Sequence, residues 1–544
     1  MAEYIGKIPW QVSSKEEHKR NARIIHKILS QCSTCADPLF AKYSFDIICW
    51  AFHTFQKLGL TLKHLLKFQE KIPTVYPWNI QYDSLRMDVN RRFNIFPLMI
   101  VLPKTEKQIR QALHFAKKFK IMVCPRSGAH SYEGFSLCEG MVIDQRFRTK
   151  ICVNIKTNQA TIEAGVLLGP LSAELGKLGL ALPSGSCPNN GSCGLTLGGG
   201  IGFLSRKFGV TSDSLLELRT VLANGEIVTA NNVENEDLYW ASRGCGGGNF
   251  GIVTSFTFQV QPINEVVIFQ LTYNFDVVKE VLDTWQHWAP FTVDELTAEL
   301  DIFSPTSIDF MVGLSKQEFN FGVPQPRSKI PRCTKIISNT EDDNTSIRHL
   351  IITGLFLGSQ EELVKLIEPV SSIGNPTIEI QKVTYVQSAR FFAGRAHRLP
   401  FFKGKSAYFE QLLPPEALQI IENFMLIAPT DSKLELDAQG GAVNRISPDA
   451  TAYVHRNTLW WTQFFTMWIN EQETTARIKW ITDFYEAMRP FFPQSAYAYV
   501  NIIDRDLPDF LNAYYGSNTD RLIEVKTKYD PTNVFHFEQS IPVA

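Results

Sequence analysis

The sequence predicts an α+β fold of at least two domains behind a helical N-terminal extension. Three observations predict it. The chain of 544 residues is longer than one ordinary hydrophobic core organises. From about residue 81 to 262, short apolar runs alternate with helical periodicity and with glycine-rich loops. From 263 to about 490, strand-like stretches alternate with amphipathic helices, the pattern of an antiparallel sheet with helices on one side.

The elements follow in order. Residues 1–80 read as a helical extension. Its most apolar part, Phe45 to Phe68, is interrupted by Lys57, His64 and Lys67 and forms one or two amphipathic helices, not a membrane span. Docking on the main body accounts for them, and lying on a membrane surface is the alternative. Pro97 to Pro103 is a short buried strand. Thr105 to Gln108 has the capping-box pattern, and Ile109, Ala112, Leu113, Ala116 and Phe119 follow at helical spacing. Ile121 to Cys124 is a second strand, feeding the loop Pro125-Arg-Ser-Gly-Ala-His-Ser131. Strands at 141–144, 151–155 and 160–164 and a helix near 171–178 lead to the long loop 185–202, Gly-Ser-Cys-Pro-Asn-Asn-Gly-Ser-Cys-Gly-Leu-Thr-Leu-Gly-Gly-Gly-Ile-Gly. Asn224-Gly225 marks a hairpin between 218–222 and 226–229. A third glycine cluster, Arg243 to Gly251, runs into the alternating Phe256, Phe258 and Val260. In the second domain, Val266 to Leu271 reads as strand, Val277 to Trp288 and Glu361 to Ile367 as helices, and Phe321 to Asp343 as a surface loop. Residues 491–544 return to the first domain.

Composition narrows the function classes. Lys and Arg number 54 against 55 Asp and Glu, so nothing recruits nucleic acid or an anionic membrane. Of ten cysteines, Cys32 and Cys35 form a lone C-x-x-C. His18 and His26 are not spaced to complete a zinc finger, so the pair reads as free thiols and no metal site is expected. The N-terminus carries no basic stretch leading into an apolar run, and the expected location is cytoplasmic.

Small residues in the first two loops let the backbone approach a ligand and offer N–H groups to a pyrophosphate. A histidine (His130) and a cysteine (Cys187) stand beside that cradle. Neither a dinucleotide fingerprint nor a P-loop reproduces the combination of Arg-Ser-Gly-x-His-Ser, Gly-x-Cys with Leu-Gly-Gly-Gly-x-Gly, and Gly-Gly-Asn-Phe-Gly-Ile-Val.

This combination resembles the flavin-binding signature of the berberine bridge enzyme-like proteins, within the vanillyl-alcohol-oxidase group. The resemblance covers residues 82 to 265, thins across 266 to 430, and resumes at Tyr514 to Asn518 and Lys528 to Phe535. It implies a two-part FAD-binding domain (81–262 and 491–544) around a substrate domain (263–490). It further implies bicovalent FAD, tethered by His130 and Cys187. Arg126, Ser127, Gly128, Ala129 and Ser131 would line the pyrophosphate. Gly191, Ser192, Gly198 and Gly202 would form the second cradle, with Val253 near the adenosine and Asn501 touching the cofactor. Cys193 is the rival thiol.

The implied reaction is oxidation of an alcohol, in a sugar, oligosaccharide or secondary metabolite, by hydride transfer to the flavin. Dioxygen as acceptor would give hydrogen peroxide. Such a reaction needs a base for the hydroxyl proton. The segment 496–504 resembles the family's Tyr-x-Asn-x-x-Asp, which makes Tyr499 the candidate. Tyr453 and His455 belong to another matching segment and border the cleft or serve the structure. Asn190, three residues after Cys187, departs from the small aliphatic residue usual there. A dehydrogenase with another acceptor therefore stays open, as does a flavin-loaded binding protein without turnover if Tyr499 is not positioned.

Overall fold

The computed structural model describes residues 44–79, 81–305, 348–392 and 400–544. The Cys32/Cys35 pair and the loop from Phe321 to Asp343 lie outside them. Strands β1 (Thr74–Val75), β2 (Met99–Val101), β3 (Val123–Arg126) and β4 (Met141–Asp144) form a sheet in the order β1-β2-β4-β3. β2 and β3 both run parallel to β4, while β1 is antiparallel to β2. The triplets 99–101 and 141–143 are wholly buried, which is why they show no polar alternation. Helix Glu106–Phe119 covers one face through Ile109, Ala112, Leu113 and Ala116. The Thr105 hydroxyl caps it by accepting from the Gln108 N–H.

The same apolar cluster takes in Ala51 and Phe55 of helix Ser44–Lys57 and Leu65 and Phe68 of helix Leu62–Gln69. These two helices are thus fastened to the first sheet. Thr74 and Val75 differ from the sequence expectation, because they form the edge strand of that sheet and join the extension to the body. Among the described residues no helix is long and apolar enough to cross a membrane.

A five-stranded antiparallel sheet follows. It comprises β5 (Ile151–Asn154), β6 (Gln159–Glu163), β8 (Leu215–Val221), β9 (Ile227–Asn231) and β10 (Ile252–Gln259), ordered β5-β6-β10-β8-β9. The β8–β9 hairpin turns at Asn224-Gly225, where Gly225 takes φ +85°. The short β7 (Leu180–Ala181) pairs with β11 (Gln261–Pro262).

The third unit is a seven-stranded antiparallel sheet: β12 (Glu265–Asn274), β13 (Leu296–Phe303), β14 (His349–Phe356), β15 (Thr377–Thr384), β16 (Phe401–Phe409), β17 (Ser432–Ala438) and β18 (Trp460–Trp468). Their order is β15-β12-β14-β13-β17-β18-β16. Helices Val278–Trp288, Pro415–Leu426 and Thr474–Met488 cover one face. Period-two alternation sends Leu296, Ala298, Leu300, Ile302, Leu434 and Leu436 to that face. The residues between them turn the other way, toward the site.

The C-terminal segment returns to the third glycine cluster. Lys526 Nζ donates to the Asn249 and Phe535 carbonyls and pairs with Asp530, all buried. The Ile541 N–H donates to Asn249 Oδ1. Tyr497 to Val500 alternates like a strand but makes none. The Ala498 and Tyr499 N–H groups go to the Ala513 carbonyl and Ser406 Oγ, and a 3₁₀ turn follows at Val500–Ile502.

Candidate active site

β3 ends in Arg126, a fully buried guanidinium paired with Asp144 at 2.6 Å and also donating to the Leu85 carbonyl. The loop that follows carries His130. It includes Ala129 at φ +53°, a left-handed conformation rare for a residue with a Cβ and concentrated at functional sites. The Cys187 loop meets it backbone to backbone at Gly128 and Gly191. A Cβ on Gly128 would lie 2.4 Å from the Gly191 nitrogen, so only glycine lets the two loops touch. The Gly191 side is further held by the Ser192 N–H and Oγ, both donating to the Val166 carbonyl.

The joined loops form one wall of a cavity of about 600 Å³. Of the residues singled out from sequence, Arg126, Ser127, Gly128, Ala129, His130, Ser131, Cys187, Asn190, Gly191, Gly202, Val253, Tyr499 and Asn501 line it. Ser192 and Gly198 do not. Ser192 is spent on Val166, and the space beside Gly198 is filled by the Asn501 side chain, 2.1 Å from where a Cβ would sit. Tyr453 and His455 also stand behind the wall. Tyr453 Oη shares a hydrogen bond with Tyr408 Oη at 2.9 Å, and His455 stacks on the Tyr408 ring at 3.8 Å.

Burial holds the His130 imidazole neutral, with its pKa lowered to about 4. Burial also raises the Cys187 thiol, against which the Asn189 and Asn190 N–H groups pull. The rival Cys193 is more deeply buried and pushed up to about 12. A neutral imidazole keeps a free ring nitrogen lone pair, the state in which it can bond to carbon.

Tyr499 is 3 % exposed. Its Oη accepts from the Gly200 N–H at 3.0 Å and from Asn501 Nδ2 at 2.8 Å. Asn501 is oriented by donating to the Leu195 carbonyl. Burial pushes the phenol up to about 12, while these donors pull it down and the Asp437 charge pushes it up again. Both contacts donate to the oxygen and so favour its ionised form. A buried ion network fixes the surrounding chain: Lys403 Nζ joins Glu133, three residues past His130, to Asp504, five residues past Tyr499. Lys405 adds a second contact to Asp504 at 2.7 Å.

The opposite wall was not singled out from the sequence. It is the open face of the seven-stranded sheet: Gln270 of β12, Glu299 and Asp301 of β13, Thr353 of β14, Lys433, Glu435 and Asp437 of β17, and Trp461 and Gln463 of β18. Gln463 Nε2 donates to Tyr132 Oη at 3.0 Å, and Trp461 Nε1 donates to Asp437 at 3.1 Å. The Trp461 ring meets Tyr499 edge-on at 5.5 Å between centroids. Burial, then the Glu435 charge, raise Asp437 to about 8. The signal was present in Leu434-Glu-Leu-Asp437 and Leu300-Asp301-Ile302. Such alternation ordinarily marks a face turned to water.

The cavity fits a flavin dinucleotide. Arg126 Nη1 and Gln145 Oε1 are buried in lining residues with no partner among the described residues, and so is Asn190 Oδ1. Such orphaned groups await a polar ligand. Gly128 and Gly191 leave a side-chain-free cradle of the kind a pyrophosphate needs.

Comparison with known proteins agrees. A family model described as an FAD binding domain matches residues 97–231, and one described as berberine and berberine like matches 498–542. The chain is 35% identical over 470 residues to the FAD-linked oxidoreductase YgaK of Bacillus subtilis, covering 85% of this chain and 94% of that protein. It is 29% identical to monolignol oxidoreductase AtBBE-like 13 of Arabidopsis thaliana, over 82% of this chain and 84% of the relative. The structure of BBE-like 1 from Physcomitrella patens superposes with a TM-score of 0.76 at 30% identity, covering 88% of this chain and 99% of that one. The motifs, the cradle and these likenesses converge: the chain belongs to the berberine bridge enzyme-like family of FAD-linked oxidoreductases.

Proposed function

We propose that this protein binds FAD bicovalently, through His130 and Cys187, and oxidises an alcohol to the carbonyl with dioxygen as the acceptor. The observation that carries the reading is the backbone lock of Gly128 on Gly191. It holds the two loops against one cavity, and Tyr499 lies where the 185–202 loop, at Gly200, meets Trp461 of the sheet. Bound FAD supplies the acceptor for the hydride leaving the alcohol carbon. The residues do the rest. Arg126 and the loop N–H groups favour the pyrophosphate charge. Tyr499 Oη in its ionised form, stabilised by the Gly200 N–H and Asn501 Nδ2, takes the hydroxyl proton. The two hydrogens thus leave as a hydride and a proton, and reduction of dioxygen by two electrons and two protons gives hydrogen peroxide.

That the substrate is an alcohol is supported by the relative named a monolignol oxidoreductase. A second reading of the base has its own support. Asp437, raised to about 8, lines the same cavity, and its ionised fraction, which grows as pH rises toward 8, can take a proton. Tyr499→Phe and Asp437→Asn, compared by anaerobic stopped-flow, separate the two.

The tethers are tested by denaturation. Acid-precipitated wild-type protein should keep its yellow colour in the pellet. His130→Ala should retain flavin through Cys187, and the double variant His130→Ala/Cys187→Ala should release all of it. A colourless wild-type pellet would end the covalent reading.

A further inference from the structure

The open face of the seven-stranded sheet carries an arrangement that stability alone would not select. In the register of β13 with β17, Glu299 stands opposite Asp437 and Asp301 opposite Glu435. Each is a like-charge pair directly across an antiparallel ladder, where such pairs destabilise. All four carboxylates line the cavity. One standing cation, Lys433, is shared among them, and it bonds Asp301 at 3.0 Å and Glu435. Lys433 forms no ion pair with either member of the second pair. Asp437 accepts from the Trp461 indole N–H, but Glu299 has no hydrogen-bond or ion-pair partner among the described residues. The other cavity cation, Arg126, is committed to Asp144. The remaining basic lining groups are His130 and His536. Carboxylate oxygens of Glu299, Glu435 and Asp437 lie within 4.8 Å of one another. With three formal negative charges in excess on one wall, these groups share what protons they have. Glu299 in particular is raised well above the usual carboxylate range by burial and by its acidic neighbours.

We propose that this wall is the seat of a positively charged nitrogen on the substrate, received by Glu299 opposite Asp437. The substrate class is then an alcohol that also carries a protonated amine. The inference rests on the reading of the cavity as the site of alcohol oxidation and adds the charge its substrate bears. An ammonium has three N–H donors for the free carboxylate oxygens and supplies the missing charge. Trp461 and Phe303 line the same cavity, and their rings suit the apolar body of such a molecule and its cationic end. Whichever of Tyr499 and Asp437 takes the hydroxyl proton, Glu299 is left for recognition. A cationic substrate draws Glu299 into its ionised form, which a neutral sugar cannot do, and a carboxylate substrate would be repelled by the wall's excess negative charge.

The test uses the flavin-loaded protein and three probes of one shape: para-(aminomethyl)benzyl alcohol as the cation, para-benzenedimethanol as the neutral form and para-(hydroxymethyl)benzoate as the anion. Binding is read anaerobically from the perturbation of the flavin spectrum, and reaction from its bleaching. The cation should bind at least about tenfold more tightly than the neutral probe, with the anion weakest, as expected for a desolvated charge pair. In Glu299→Gln the cation-to-neutral ratio should fall close to one. Equal affinities in the wild type, or a ratio that survives in Glu299→Gln, would overturn the proposal. So would loss of the cation's binding to stoichiometric calcium chloride, which would assign the carboxylates to a metal ion. The wild-type ranking decides by itself if the variant does not accumulate. Bleaching by the neutral probe without charge preference would overturn the seat and leave alcohol oxidation standing. Charge-ranked binding without bleaching by any probe would support the seat and count against alcohol oxidation.

Discussion

The two walls of the cavity are built by opposite means. The loop wall is two contiguous loops, residues 125–131 and 185–202, locked by a glycine–glycine backbone contact and made of small residues. The sheet wall is assembled from β12, β13, β14, β17 and β18, whose cavity residues lie up to 193 positions apart, from Gln270 to Gln463, and are brought together by strand register. On the first wall, chemistry depends on how closely the backbone can approach. On the second it depends on which face of a strand looks inward. A cofactor shared by a whole family suits the first kind of construction. A substrate that varies suits the second, because exchanging a side chain on a rigid strand leaves the backbone hydrogen bonds intact.

Three measurements sharpen or break that contrast. The largest effect belongs where the walls meet. Tyr499→Phe should slow anaerobic flavin reduction by roughly 100- to 10,000-fold, the range for losing a general base, with flavin content unchanged. Reduction at the wild-type rate would move the base to the sheet wall and to Asp437.

A smaller effect probes the loop wall. Gly128→Ala would drive a methyl group into the Gly191 backbone. It should cost about 1–3 kcal/mol of stability, as overpacking does, and lower the flavin bound per protein chain. Normal flavin content would mean that the loops can part without losing the cofactor.

The smallest effect probes the sheet wall through pH. Burial and the Glu435 charge hold Asp437 at about 8 in the folded protein, while an unfolded aspartate titrates near ~4. Between these values the folded chain keeps a proton that the unfolded chain has lost. The stabilising contribution is therefore complete below ~4 and is lost as pH rises through about 8. Asp437→Asn should flatten this decline and give a higher Tm than the wild type on the alkaline side. Parallel Tm profiles for the two proteins would show that Asp437 ionises in the fold as it does in the unfolded chain.

What the sequence determined by itself was what is local. The capped helix Glu106–Phe119, the Asn224-Gly225 hairpin and the flavin cradle each rest on residues within a short window, where turn chemistry, periodicity and glycine spacing act directly. Nearly all the cradle residues it singled out do line the cavity. The exceptions, Ser192 and Gly198, were hidden by partners distant in sequence, Val166 and Asn501. Only the tertiary structure decided the rest. Alternation in Leu434-Glu-Leu-Asp437 says that Glu435 and Asp437 share a face but not what that face meets, and water is the ordinary answer. The pairing of β13 with β17, set by contacts between strands more than a hundred residues apart, put four carboxylates opposite one another. Closure of that face against the glycine loops then set those carboxylates around a cavity instead of open solvent. Charge in a strand is legible from sequence, but desolvation of that charge is a property of the assembled fold.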